Sequence, residues 1–138
     1  MGHIRIAIFI ALVLVADGAA ATETGDAELG RTAFAAECGG CHSMDPGNNY
    51  YAPTLNCIVG RQAATADFSA YSDGFVDAVS GIVWSEENLA NYLASQRSFV
   101  DTQLQRPDIP LMMMNLAWPD ATVRENLIAF FATDCSGG

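Results

Sequence analysis

Cys38-Gly39-Gly40-Cys41-His42 sets two thiols three positions apart with an imidazole directly behind the second. This C-x-x-C-H spacing is the signature of covalent haem attachment. Two thiols add to the two haem vinyl groups and hold the ring, and the next residue presents an imidazole to the iron from one face. Two other chemistries use paired cysteines. A zinc site needs four nitrogen or sulfur ligands, and the only other histidine, His3, lies at the extreme N-terminus. A thioredoxin-like pair expects a βαβ setting, and no such pattern surrounds this motif. Haem is the reading that the residues favour.

Met112-Met113-Met114 is the second group with chemical potential. Adjacent methionines serve as adaptable core filler. Thioethers also suit soft copper, but no Cys or His accompanies them here. A methionine opposite the histidine is a common sixth haem ligand that raises the potential, and one of the three in that role is the best reading. Met44 follows the cysteine motif too closely to reach the opposite face and is expected to pack.

The elements that must position these groups read as helices and loops. Asp26 can cap a helix carrying Leu29, Ala33 and Phe34 on one face and ending at Cys38. Residues 43–83 are dense in Pro, Gly, Asn, Ser and Asp and read as loops, with one short helix near Phe75–Val79. Ser85 can cap a helix that turns Leu89, Tyr92 and Leu93 inward. Thr122-Val123-Arg124-Glu125 fits a capping box. The helix it opens carries Val123, Leu127, Phe130 and Phe131 in a helical stripe. No alternating strand pattern stands out, so the expected class is all-α. Long loops argue against a compact domain, unless they wrap a cofactor that serves as core.

Residues 1–21 read as a cleaved secretory signal peptide: a basic start through Arg5, an apolar run Ile6–Ala16, and Ala19 and Ala21 at A-x-A spacing. The apolar run is about half of the ~20 residues that a membrane span needs. The remaining 22–138 then form one domain in an oxidising compartment, which for a bacterial chain is the periplasm, with no stable membrane insertion after cleavage. Of 138 residues, 51% are apolar, and 16 acids face 6 bases, all arginine, for a net charge of −10. Losing Arg5 and Asp17 with the leader leaves that charge unchanged. Such a chain is too apolar for disorder and too acidic for nucleic acid.

With these motifs in order, residues 25–134 resemble a class I cytochrome c, in the style of bacterial cytochrome c2. The matching stretches are Gly25-Asp26-Ala27 through Gly30 and Phe34, Ala52-Pro53-Thr54-Leu55-Asn56, Gly60-Arg61 and Tyr71-Ser72-Asp73. They continue with Gly81-Ile82-Val83-Trp84, then Glu86, Glu87, Leu89, Tyr92 and Leu93, then Met114-Asn115-Leu116-Ala117 with Pro110 four residues earlier. Leu127–Phe131 completes them. The resemblance implies one haem c on Cys38 and Cys41, with His42 and Met114 as axial ligands and Met112 next in line after Met114. It implies that the Pro53 carbonyl accepts the His42 Nδ1–H and fixes the ring. Arg61, Tyr71 and Trp84 would hydrogen-bond a buried haem propionate, which needs such partners. Tyr92 would lie near the distal sulfur, and Gly30 would let the first helix approach the last. Cys57 and Cys135 fall in regions that this fold brings together, so a disulfide is expected.

Three departures stand out. Asp101–Ile109 looks like an insertion that lengthens the distal loop. Met112 replaces a small hydroxyl residue two before the ligand. No lysines are present to ring the haem edge. The implied function is a monomeric periplasmic electron carrier, not an enzyme, that meets redox protein partners transiently. A dedicated cytochrome subunit or partner of a periplasmic dehydrogenase is the alternative, separable by size exclusion. An open-site haem enzyme or sensor is a third, separable by its high-spin iron.

Overall fold

The computed structural model describes residues 25–110, 117–133 and 135. The expected leader, 1–21, and Met112–Met114 lie outside the described residues. Helix α1 (Ala27–Glu37) starts where the Asp26 carboxylate accepts from the Glu28 and Leu29 N–H groups at 2.8 and 3.1 Å. The Asp26 N–H in turn donates to Asn126 Oδ1 at 2.7 Å, which ties the cap to the last helix, α5 (Ala121–Thr133). The buried positions of α1 are Gly30 and Phe34, one turn apart. Leu29 is not on that face as expected but is 58% exposed. It sits one residue, about 100°, off the line that meets α5.

Helix α5 buries Leu127, Ile128, Phe130 and Phe131. Its start differs from the expected capping box: Asp120, not Thr122, precedes the first turn, and Asp120 Oδ1 accepts the Thr122 N–H at 2.9 Å. Asp competes well for that position, which moves Thr122 inside the helix. The crossing of α1 on α5 is close because Gly25 and Gly30 carry no side chain. A Cβ on Gly25 would overlap the Glu125 carbonyl. A Cβ on Gly30 would overlap the Asn126 carbonyl and come within 2.8 Å of Phe130 Cβ. Phe34 fills the rest of the seam, its ring centroid 5.6 Å from Phe130 and 6.2 Å from Phe131.

Between these helices run α2 (Asp73–Ala78), capped by Ser72, and α3 (Glu86–Ala94), capped by the Ser85 hydroxyl on the Asn88 N–H. Helix α3 buries Leu89 and Leu93. Short α4 (Gln96–Ser98) runs into a π-helical turn, Phe99–Gln103, that buries Phe99 and Val100. Among the described residues there is no strand, only one antiparallel bridge between Gln62 and Val83. The expected insertion, Asp101–Ile109, is not a loose loop. Arg106 pairs with Asp77 of α2 and with Asp108. Ile109 is buried, and its Cγ2 would lie 3.3 Å from a Cβ on Gly74. The two contacts pin the segment to α2.

The expected disulfide is present. Cys57 and Cys135 are joined across 78 positions of sequence, with Cα atoms 5.1 Å apart. Cys57 has φ of 50°, the left-handed region that usually calls for glycine. The tie therefore holds the loop after Leu55 against the end of α5 at a backbone position that is otherwise unfavourable for a side chain.

Two outcomes follow from this packing. Gly30→Ala should lower the unfolding free energy by about 3 kcal/mol, because the obstacle is backbone that cannot repack. Guanidinium denaturation of the holoprotein measures it. Reducing the disulfide should cost about 2–4 kcal/mol and lower the thermal midpoint. A Cys57→Ser/Cys135→Ser variant should reproduce that loss in calorimetry.

Candidate haem site

The chain encloses a cavity of about 420 Å³, lined mostly by apolar and aromatic side chains from α1, α2, α3, α5 and the loops that join them. One wall is the end of α1. The Cys38 and Gly39 N–H groups both donate to the Phe34 carbonyl at 2.8 Å, and the Cys41 and His42 N–H groups donate to the Cys38 carbonyl. This tight turn brings both thiols and the imidazole to one wall. Cys38 is buried and Cys41 is exposed, and neither is in a disulfide. Burial, with Glu37 and Cys41 nearby, pushes the Cys38 thiol up to about 11, so it is a neutral thiol at physiological pH.

His42 Nδ1 lies 2.7 Å from the Pro53 carbonyl oxygen. Burial holds His42 below the ordinary imidazole range, partly offset by that carbonyl. A neutral ring must then donate from Nδ1 to Pro53, which leaves Nε2 with its lone pair available to a metal. The carbonyl is itself held. The Ala52 N–H donates to Cys41 O and the Leu55 N–H to Ser43 O. The buried Thr54 hydroxyl donates toward the Ser43 and Asp45 carbonyls.

Arg61, Tyr71, Trp84 and Tyr92 all line the same cavity. Arg61 is half-buried. It donates from Nη1 to Asn56 O at 2.8 Å and from Nη2 to Thr54 O at 2.9 Å. Burial raises the Tyr71 phenol above its usual range, opposed by Arg61 facing it. Burial lowers Arg61, opposed by Tyr71. Trp84 sits in an aromatic group with Tyr92 at 5.1 Å and Phe99 at 5.9 Å between ring centroids. The Trp84 N–H donates to the Arg61 carbonyl, and Trp84 O accepts from Gly60. The two loops that carry these side chains are thus joined backbone to backbone.

Among the cavity residues that sequence reasoning missed are the aromatics Phe68, Phe75 and Trp118. Phe68 and Phe75 pack on either side of Tyr71, at 5.3 and 6.1 Å. Their spacing of three and four residues from Tyr71 was the available signal. Trp118 had none, because its place depends on its N–H donating to Leu93 O at the end of α3. Met114 lies outside the described residues.

These residues fit a haem c. Two free thiols and a neutral imidazole with its second nitrogen engaged share one wall of an apolar cavity large enough for a flat macrocycle. Cys38, Cys41 and His42 would hold it.

No family model matches the chain. Cytochrome c2 of Rhodospirillum rubrum is 33% identical over 134 residues, covering 96% of each chain. The cytochrome c-type cyt cy of Rhodobacter capsulatus is 35% identical over 113 residues, 82% of this chain and 51% of that protein; this chain spans about half the length of that relative. Among solved structures, cytochrome c2 from Rhodospirillum centenum superposes with a TM-score of 0.70 at 26% identity, over 80% of this chain and 98% of that one. Ferricytochrome c2 from Rhodopseudomonas palustris gives 0.67 at 30% identity, over 79% and 98%. The chain therefore belongs to the class I cytochromes c, in the cytochrome c2 group, with that group's single covalent haem c and its electron-transfer role.

Proposed function

We propose that this cytochrome is a periplasmic shuttle that carries single electrons between redox complexes, with His42 and Met114 as the axial ligands of its haem. Residues 1–21 are its cleaved leader, and it works as a monomer in transient encounters. The observation that carries this reading is the 2.7 Å contact of His42 Nδ1 with the Pro53 carbonyl on the wall that holds both thiols. A bound haem supplies a one-electron couple. A rigid second ligand from the Met112–Met114 stretch would leave no open position for substrate chemistry.

The protein's part is positional and electrostatic. Pro53 fixes the His42 ring plane and keeps its proton on Nδ1. Arg61, anchored by the Thr54 and Asn56 carbonyls, would offer a haem propionate a fixed positive charge. Tyr71 and Trp84, which line the same cavity, would supply neutral donors beside it. Tyr92, half-buried against Trp84 and Phe99, would lie on the side of the distal ligand. The apolar walls exclude water, which limits the reorganisation that accompanies a change of charge.

The optical spectrum of the oxidised holoprotein tests the ligand set. It should show a methionine-to-iron charge-transfer band that Met114→Ala removes. High-spin iron in the unmodified protein contradicts the reading, and loss of the band in Met112→Ala instead moves the ligand to Met112.

Burial, with Tyr71 adding to it, pushes the Tyr92 phenol up to about 12, against about 10 in an unfolded chain. The folded state therefore favours the neutral phenol. Its contribution is complete below pH ~10 and is lost as pH rises toward ~12. Urea unfolding between pH 9 and 12 should show this decline, and Tyr92→Phe should flatten it.

A further inference from the structure

We propose that Tyr50 and Tyr51 form a docking surface at the mouth of the haem cavity for a redox protein that presents an apolar face rimmed by basic side chains. This rests on the carrier reading above. Tyr51 is 87% exposed and Tyr50 53% exposed, and Tyr51 lines the cavity alongside the exposed Cys41. Tyr51 stands in water at the entrance to a cofactor cavity with Tyr50 next to it in the chain, and neither packs against the core. Tyrosine is among the residues that dominate interface energetics, because it offers a wide amphipathic face at little entropic cost.

The loop that presents them is built firmly. The Tyr50 N–H donates to Ala52 O, and the Ala52 N–H to Cys41 O. Asn49 takes the Thr54 N–H on its Oδ1 and donates from Nδ2 to the Asp67 carbonyl. The pair is therefore fastened on one side to the turn that carries the thiols and on the other to the loop that leads to Tyr71.

The surrounding charge selects the partner. Glu37 lines the same cavity, Asp45 stands at the start of the tyrosine loop, and Asp67 lies on the neighbouring loop that Asn49 ties to it. All three are exposed, and none is in an ion pair among the described residues. The arginines are committed elsewhere. Arg31 pairs with Glu28 and covers the Phe130 ring, Arg97 pairs with Asp101, and Arg106 pairs with Asp77 and Asp108. Arg124 donates to the Trp118 and Pro119 carbonyls, and Arg61 is turned onto loop carbonyls. The aromatic pair is thus flanked by negative charge that no arginine compensates. A basic-rimmed partner is attracted to it, and an acidic one is repelled.

The test compares two one-electron reductions of the ferric holoprotein. One reductant is the small cation hexaammineruthenium(II), which gives up one electron and becomes ruthenium(III). The other is a lysine-rich cytochrome c with zinc in place of iron, whose flash-generated triplet gives up one electron and becomes the porphyrin cation radical. In Tyr50→Ser/Tyr51→Ser the ratio of the protein rate to the ruthenium rate should fall by about fivefold or more. In Glu37→Gln/Asp45→Asn the protein rate should lose most of its dependence on ionic strength. A ratio within twofold of the unmodified protein overturns the docking surface and leaves the carrier reading intact. Failure of the unmodified protein to accept an electron from ruthenium overturns the carrier reading, and the surface with it. A concentration-dependent dimer that the tyrosine variant abolishes, seen by sedimentation, would assign the patch to a second copy of this chain and overturn the proposed partner.

Discussion

The fold is organised around a volume that its own side chains do not fill. A cavity of about 420 Å³, left empty and dry, would cost about 10 kcal/mol at ~24 cal/mol per Å³. That is comparable to the whole net stability of a small domain. The residues around it, among them Leu55, Phe68, Phe75, Trp84, Leu89, Leu93 and Phe131, come from loops and helices that have few other reasons to meet. A flat apolar macrocycle supplies the missing contacts. Holding it covalently makes that contribution permanent rather than dependent on concentration, as it would be for a dissociable ligand.

Everything else serves to present the right chemistry to that volume. The glycine-to-backbone crossing of α1 on α5 fixes the axis of α1, and the last turn of α1 delivers Cys38, Cys41 and His42 together. The loop of residues 43–61 is held by its own polar side chains rather than by regular structure. Thr54, Asn49 and Arg61 each bond main-chain carbonyls or N–H groups along it. Those bonds set the Pro53 carbonyl against His42. The Cys57–Cys135 tie then closes this loop onto α5, so the histidine side of the cavity and the helix crossing form one mechanical unit.

Much of this was legible in the sequence because it is local chemistry. C-x-x-C-H names its own reaction, and Asp26, Ser72 and Ser85 sit at the starts of real helices. Other features depend on what packs from far away. Leu29 looked buried by period but faces water, because α5 meets the Gly30 side. Asp120 displaced Thr122 as the cap of α5 because two good capping residues stand two positions apart, and only tertiary context decides between them. Asp101–Ile109 read only as an insertion that lengthens a loop, because the pairing of Arg106 with Asp77, 29 positions away, leaves no local trace. Tyr50 and Tyr51 have no periodic signature, and only their exposure at the cavity mouth gives them meaning.

The dependence of the fold on a filled cavity is best tested by amide hydrogen exchange on the holoprotein and on the same chain produced without haem attachment. The predicted result is strong protection across α1, α3 and α5 with haem in place. Without it, protection in all three should be nearly lost, because their shared core is gone. Comparable protection in the two forms would show that the helices close on one another unaided, and would contradict a structure built around its cofactor.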